Sequence, residues 1–174
     1  MSELKMNRLK LLDKLGERWL FEKKTVFLYD KIIRKLESLD YDFDVSQLRS
    51  FRNQELEHQK QLESYIELCG SNAKRKTPSQ RAVEIESLAF ANIIEESREA
   101  SQVLHVLLDA EMEDNASWEL LIQLAKRAGQ KDLIAHFQKA WEEEKVHLRT
   151  VRGLILKLAR YELVEMARPQ PLAP

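Results

Sequence analysis

Cysteine occurs once in these 174 residues, at Cys69, which excludes an internal disulfide and any Cys-x-x-Cys metal or redox pair. Glycine and proline number four each and fall mostly between long stretches that contain neither. Charge of one sign is missing too. With 28 basic and 29 acidic residues the net charge is -1, so no broad field draws the chain to nucleic acid or to an anionic membrane. No apolar run is long enough to span a bilayer and nothing resembles a signal peptide, so a cytoplasmic location is expected. What remains is 44% apolar and 33% charged, the make-up of one helical domain with charged outer faces.

The scarce breakers lay out the helices. A first helix runs from about Leu9 to Leu39 and ends in the turn Asp40-Tyr41-Asp42-Phe43-Asp44. Asp44 or Ser46 caps a second, which stops near Cys69-Gly70. The polar stretch Ser71 to Gln80, with Pro78, reads as a loop. From Arg81 to Ala128 no breaker appears, yet one helix of that length would reach ~70 Å at ~1.5 Å per residue. The second helix could not pack along so long a partner. The stretch therefore divides into a crossover helix, about Arg81 to Glu96, and a third long helix, about Arg98 to Ala128. Gly129 closes it, and a fourth runs from about Lys131 to Met166. The expected fold class is all-α: a four-helix bundle over 1–167 with a crossover helix, then a Pro-rich, extended or disordered tail at 168–174.

Steps of three and four define a core stripe on each long helix. The first carries Leu15, Trp19, Glu22, Val26, Tyr29, Ile33 and Leu36; the second Leu48, Phe51, Glu55, His58, Leu62 and Tyr65. The third carries Leu104, Leu107, Glu111, Asp114, Trp118, Leu121 and Ala125. The fourth carries Leu133, Phe137, Ala140, Glu144, His147, Val151, Leu154 and Leu158. Acidic residues and histidines interrupt stripes that are otherwise mostly apolar.

Those interruptions repeat. Glu55-x-x-His58 and Glu144-x-x-His147 each have a lone glutamate, Glu22 and Glu111, 33 residues upstream of the paired glutamate. Each Glu-x-x-His pair lies on one helical face. Four carboxylates facing one core could not all stay charged without compensation. Two divalent cations neutralise them, with both histidines as neutral ligands. Carboxylates can bridge two ions, and imidazole favours iron, manganese or zinc over magnesium or calcium. The expected site is therefore dinuclear, with metal ligands Glu22, Glu55, His58, Glu111, Glu144 and His147.

Other residues carry blander readings. His105 and His136 belong to no pair and read as surface or boundary residues. Tyr29, one heptad after Glu22, either touches the site or fills the core, and Trp118 reads as packing. Asp114 reads either as a partner for a histidine N–H or as surface charge on a poorly packed seam. Glu95-Glu96 and Glu142-Glu143 read as solvated faces.

Over about Leu12 to Leu158 this pattern resembles the ferritin-like superfamily: bacterioferritins, rubrerythrins, manganese catalases and small stress-associated ferritin-like proteins of bacteria. Ala110 to Trp118 and Trp141-Glu-Glu-Glu-Lys145 look most like the last group. The resemblance implies that Glu22 and Glu111 are terminal ligands, that Glu55 and Glu144 bridge the ions, and that His58 and His147 take one ion each. A tyrosine at the place of Tyr29 is also familiar there. It implies two iron ions, or manganese, and reaction with dioxygen or hydrogen peroxide as a ferroxidase or peroxidase-like oxidoreductase. Iron storage, metal carriage without turnover and manganese catalase-like dismutation are the alternatives, as is a bundle serving as an interaction module. No rubredoxin-like Cys-rich segment is present, so an external electron donor is expected, and a homodimer is the expected assembly.

Overall fold

Two glycines at positive φ, Gly70 at 71° and Gly129 at 70°, stop helices where the sequence places them. At the first, Gly70 N–H donates to Glu67 O (2.8 Å) and Ser71 N–H to Ile66 O (3.0 Å). That paired closure needs the left-handed conformation glycine tolerates best. The computed structural model describes residues 3–39 and 44–166, with side chains described from 8 to 160 within them. Asp40 to Phe43 of the expected turn and the expected Arg168–Pro174 tail lie outside the described residues.

The fold is all-α, with five helices and no strand among the described residues: α1 (Glu3–Ser38), α2 (Ser46–Leu68), α3 (Gln80–Glu96), α4 (Ala100–Arg127) and α5 (Lys131–Met166). The first helix begins six residues earlier than its periodicity predicts. Asp44 rather than Ser46 supplies the side-chain bond at the start of α2, its Oδ1 accepting from Ser46 N–H at 2.9 Å. The long stretch after the loop does break. Ser97 is extended (φ -62°, ψ 137°), and Gln102 Oε1 accepts from the Arg98 (2.9 Å) and Glu99 (3.4 Å) amides that open α4.

Cross-helix contacts fix the directions. Arg8 donates to Cys69 O at one end of the α1–α2 pair and Arg49 meets Glu37 at the other, so the two run antiparallel. Tyr65 against Phe137 and Gln54 against His147 make α2 and α5 antiparallel. Trp141 Nε1 donates to Asn115 Oδ1 (3.2 Å) between α4 and α5. The α3 helix lies outside this group, parallel to α1, and among the described residues packs on α1 and α4. Its start is seated on Gly16. Gln80 Nε2 donates to Gly16 O (2.8 Å), and a Cβ at Gly16 would sit 2.8 Å from a methyl of Thr77.

The stripes of α2 and α4 are buried at every predicted position, and that of α5 at all but Leu154, which is half-buried. The α1 stripe is shifted: Arg18, Thr25 and Ile32 are buried, while Val26 is only half-buried. For Thr25 the reason is α3, which covers a further flank of α1 and buries Phe21 and Leu28 as well, whereas Arg18 is drawn in by Asp114 of α4. Apolar residues form two clusters. One holds Ile32, Leu36, Leu48, Phe51, Leu104, Leu107 and Val151; the other holds Leu15, Leu62, Trp118, Leu121, Ile122 and Phe137. A polar layer divides them.

Candidate metal centre

That layer is made by one turn from each of α1, α2, α4 and α5. Glu22, Glu55, Glu111, Glu144 and His147 are 0% exposed and His58 is 1% exposed, so the structure brings all six sequence-predicted residues into one interior. They form two groups: Glu55, Glu111, Glu144 and His147, and Glu22, Glu55 and His58. Within each, one ligand-type atom per residue lies within 4.8 Å of all the others. Glu55 belongs to both. Glu144 stands between the imidazoles, Oε1 2.9 Å from His58 Nδ1 and Oε2 3.3 Å from His147 Nδ1.

Each imidazole presents Nδ1 inward and is held from outside through Nε2. His58 Nε2 lies 2.8 Å from Glu143 Oε2, and His147 Nε2 lies 2.8 Å from Gln54 Oε1. Outer partners of this kind fix the ring and its tautomer. The reading of Glu143 as a solvated residue is thus corrected: it reaches across from α5 to α2 and holds His58, while Glu142 stays exposed. Tyr29 does touch the site, its Oη donating to Glu111 Oε1 at 2.5 Å. Trp118 packs edge-on against His58, ring centres 5.4 Å apart. His105 and His136 are exposed.

Sequence reasoning missed Arg18. It is 2% exposed, with Nε 3.1 Å from Glu22 Oε1 and Nη1 3.3 Å from Asp114 Oδ1. Asp114 is therefore neither surface charge nor a histidine partner; it is the buried counter-ion of Arg18. The signal was present as an arginine one turn before Glu22, but that spacing is also common on solvated faces.

Electrostatics reflect the crowding. Burial and then repulsion from Glu55 push the Glu22 carboxyl well above its ordinary range. Burial and the neighbouring Glu144 push Glu55 up to about 7. Burial also raises Glu111. For Glu144 burial pushes upward, but the close approach of His147 and His58 outweighs it and holds this carboxyl at about 2. Burial opposes the charged form of His58, yet Glu143 and Glu144 carry it up to about 11. His147 is raised likewise, by Glu111, Glu144 and Glu55 against burial.

Buried polar atoms are ordinarily hydrogen-bonded. Here both oxygens of Glu22 and of Glu144, one each of Glu55 and Glu111, and Nδ1 of His58 lack a well-formed hydrogen bond. All are oxygen or imidazole donors, the chemistry that borderline divalent ions take. The charges fit as well. Arg18 cancels Asp114, and the four glutamates then match two divalent cations. The donor set thus suits a pair of such ions. Among known proteins, no family model, no curated protein and no solved structure matches the chain.

Proposed function

We propose that this chain is a ferritin-like, dinuclear metalloprotein, a four-helix bundle with α3 as its crossover helix. In this reading Glu22, Glu55, His58, Glu111, Glu144 and His147 hold two transition-metal ions, iron first and manganese as the alternative. The observation that supports it is the set of ligand-type atoms without hydrogen-bond partners in a layer closed off by apolar clusters.

Two such ions, when bound, supply electrons to dioxygen or hydrogen peroxide, which makes the chain an oxidoreductase of the ferroxidase or peroxidase type. The protein supplies the rest. Glu22 and Glu111 would hold the ions from α1 and α4, and Glu55 and Glu144 from the two helices that carry the histidines, Glu55 being common to both groups. Glu143 and Gln54 keep both imidazoles turned with Nδ1 inward. Burial, followed by the charge of Glu111, raises Tyr29, so its phenol keeps the proton it donates to Glu111. The clusters above and below exclude water. Electrons for repeated turnover come from an external donor.

Anaerobic reconstitution with Fe(II), metal analysis and stopped-flow mixing with each oxidant test the proposal. Close to two irons per chain, oxidised within seconds, is the expected result. Saturation at one ion or none overturns the dinuclear site. Uptake of iron in large excess into a shell-sized particle overturns the enzyme reading in favour of storage.

A further inference from the structure

Both histidines come from α2 and α5, and their outer nitrogens are taken by Glu143 and Gln54, so that side of the centre is filled. The opposite side is the seam between α1 and α4, which carry Glu22 and Glu111. A cavity of about 90 Å³ lies against the outside of this seam, beneath α3. Its walls include Phe21, Leu28, Val83, Phe90 and Ala91. Two further lining residues, Thr25 and Ala110, belong to the seam itself. Thr25 stands one turn from both Glu22 and Tyr29, and Ala110 immediately precedes Glu111. Both are buried and small, and the Tyr29–Glu111 hydrogen bond joins the same two helices one turn on. Phe27 and Leu88, exposed at 54% and 65%, also line the cavity and give it a side toward the surface.

We propose that this cavity is a docking site for dioxygen on its way to the metal centre, walled on that side by Thr25 and Ala110, the helix neighbours of Glu22 and Glu111. The inference rests on the metal reading above and deepens it by choosing between the two oxidants. Size and polarity make the choice. An apolar cavity of roughly 150 Å³ stays dry and takes benzene, so one somewhat smaller suits a small apolar molecule. Hydrogen peroxide brings two O–H donors and two acceptor oxygens, more hydrogen-bonding demand than these mostly apolar walls meet, whereas dioxygen makes none. The Ser87 hydroxyl, which also lines the cavity, gives its proton to Val83 O inside α3, so its oxygen can accept there but not donate. Lys24, Lys31 and Glu86 line it too, but all are part-exposed, and Lys31 is paired with Glu95.

Xenon, an apolar probe of similar bulk, tests the site without any metal. Metal-free crystals under xenon pressure should show one atom among Leu28, Ala91 and Ala110. Ala91→Phe, which fills the cavity without touching a ligand residue, should remove it. In the Fe(II)-loaded chain the same substitution should slow oxidation by dioxygen roughly tenfold or more, the scale on which small volume changes in an apolar pocket act. Iron stoichiometry and the rate with hydrogen peroxide should stay as they were. Ala91→Leu serves if the larger ring disturbs folding, and xenon should itself slow dioxygen in the unaltered chain. No xenon in the cavity overturns the site; equal slowing of both oxidants, or of neither, overturns its choice of dioxygen. Xenon bound in a chain that takes up no iron overturns the metal reading and leaves the apolar site standing.

Discussion

Arg18 on α1 meets Asp114 on α4 at 3.3 Å, with both side chains almost wholly buried beside the candidate ligand Glu22. Desolvation works against both charges. Burial lowers the proton affinity of Arg18, but Asp114 and Glu22 more than restore it; burial raises Asp114 well above its ordinary range although Arg18 pulls it down. The pair survives because each charge compensates the other.

Removing only one partner should therefore be costly. Arg18→Leu strands Asp114 next to Glu22, and a loss of about 3–5 kcal/mol is expected in the metal-free chain. Replacing both, as Arg18→Leu with Asp114→Leu, should recover most of that loss, because neither charge is then left buried alone. Urea unfolding of the two single variants and the double variant measures the coupling. A double variant as unstable as the sum of the singles rules out a functioning pair.

The outer partner of His58 gives a second prediction. Glu143 orients the ring and raises its basicity through Nε2. Glu143→Gln keeps an acceptor but loses the charge, and metal affinity should fall by about 10–100-fold. Lowered proton competition at His58 works the other way, so the sign of the change decides which effect wins. Titration with Co(II), followed by its visible absorption, reads both affinity and stoichiometry. Tighter binding by the variant would show that Glu143 mainly holds a proton on His58.

Much of this architecture could be read from spacing, and the exceptions share a cause. The α2, α4 and α5 stripes were legible because each helix buries one main face, so a single three-four rhythm describes it. On α1 the rhythm misplaced Thr25 and Ile32, since α3 covers a further flank and widens the buried arc, and it misplaced Arg18, which turns toward Asp114 of α4. The six inward residues were legible because polar side chains stood out against apolar stripes. Glu143 was not: within Trp141-Glu-Glu-Glu-Lys145 it looks like its solvated neighbour Glu142, and only the approach of α2 gives it a partner. The Arg18–Asp114 pair likewise joins helices far apart in sequence, which no local period reveals.

A pH prediction follows from the anchor between α1 and the loop before α3. Asp13 accepts from Ser79 Oγ (2.7 Å) and Ser79 N–H (3.2 Å). Partial burial pushes its carboxyl up, but the bonds from Ser79 and Thr77 outweigh this and the net shift is downward. A depressed folded value means the contribution is present above the unfolded value of about 3.9 and is lost as pH falls through the folded one. Because the group is largely solvated, Asp13→Asn should cost a few tenths to about 1 kcal/mol at neutral pH. Melts from pH 7 down to pH 2 should show the difference between the two proteins closing in acid. A gap that widens there contradicts the assigned sign.

The last prediction joins stability to metal. Glu22, Glu55 and Glu111 are raised by burial, which records what it costs to keep carboxylates charged in this layer. Ions that bind only the folded chain stabilise it by mass action, by about 2.7 kcal/mol at a free concentration one hundred times the dissociation constant. The melting temperature should rise with added Fe(II) or Mn(II) and fall back on chelation. Replacing Glu55 and Glu144 together with glutamine removes the carboxylate shared by the two ligand-type groups and the one that stands between the imidazoles. Two effects compete in the metal-free variant. Repulsion with Glu22 and Glu111 is relieved, but His58 keeps Glu143 and His147 keeps Glu111 as charged partners while each loses Glu144, and His147 also loses Glu55. The bundle should still fold, since its apolar clusters are untouched, and its metal-dependent rise in melting temperature should vanish. A double variant that still melts higher with iron, and still binds two ions, would remove Glu55 and Glu144 from the ligand set.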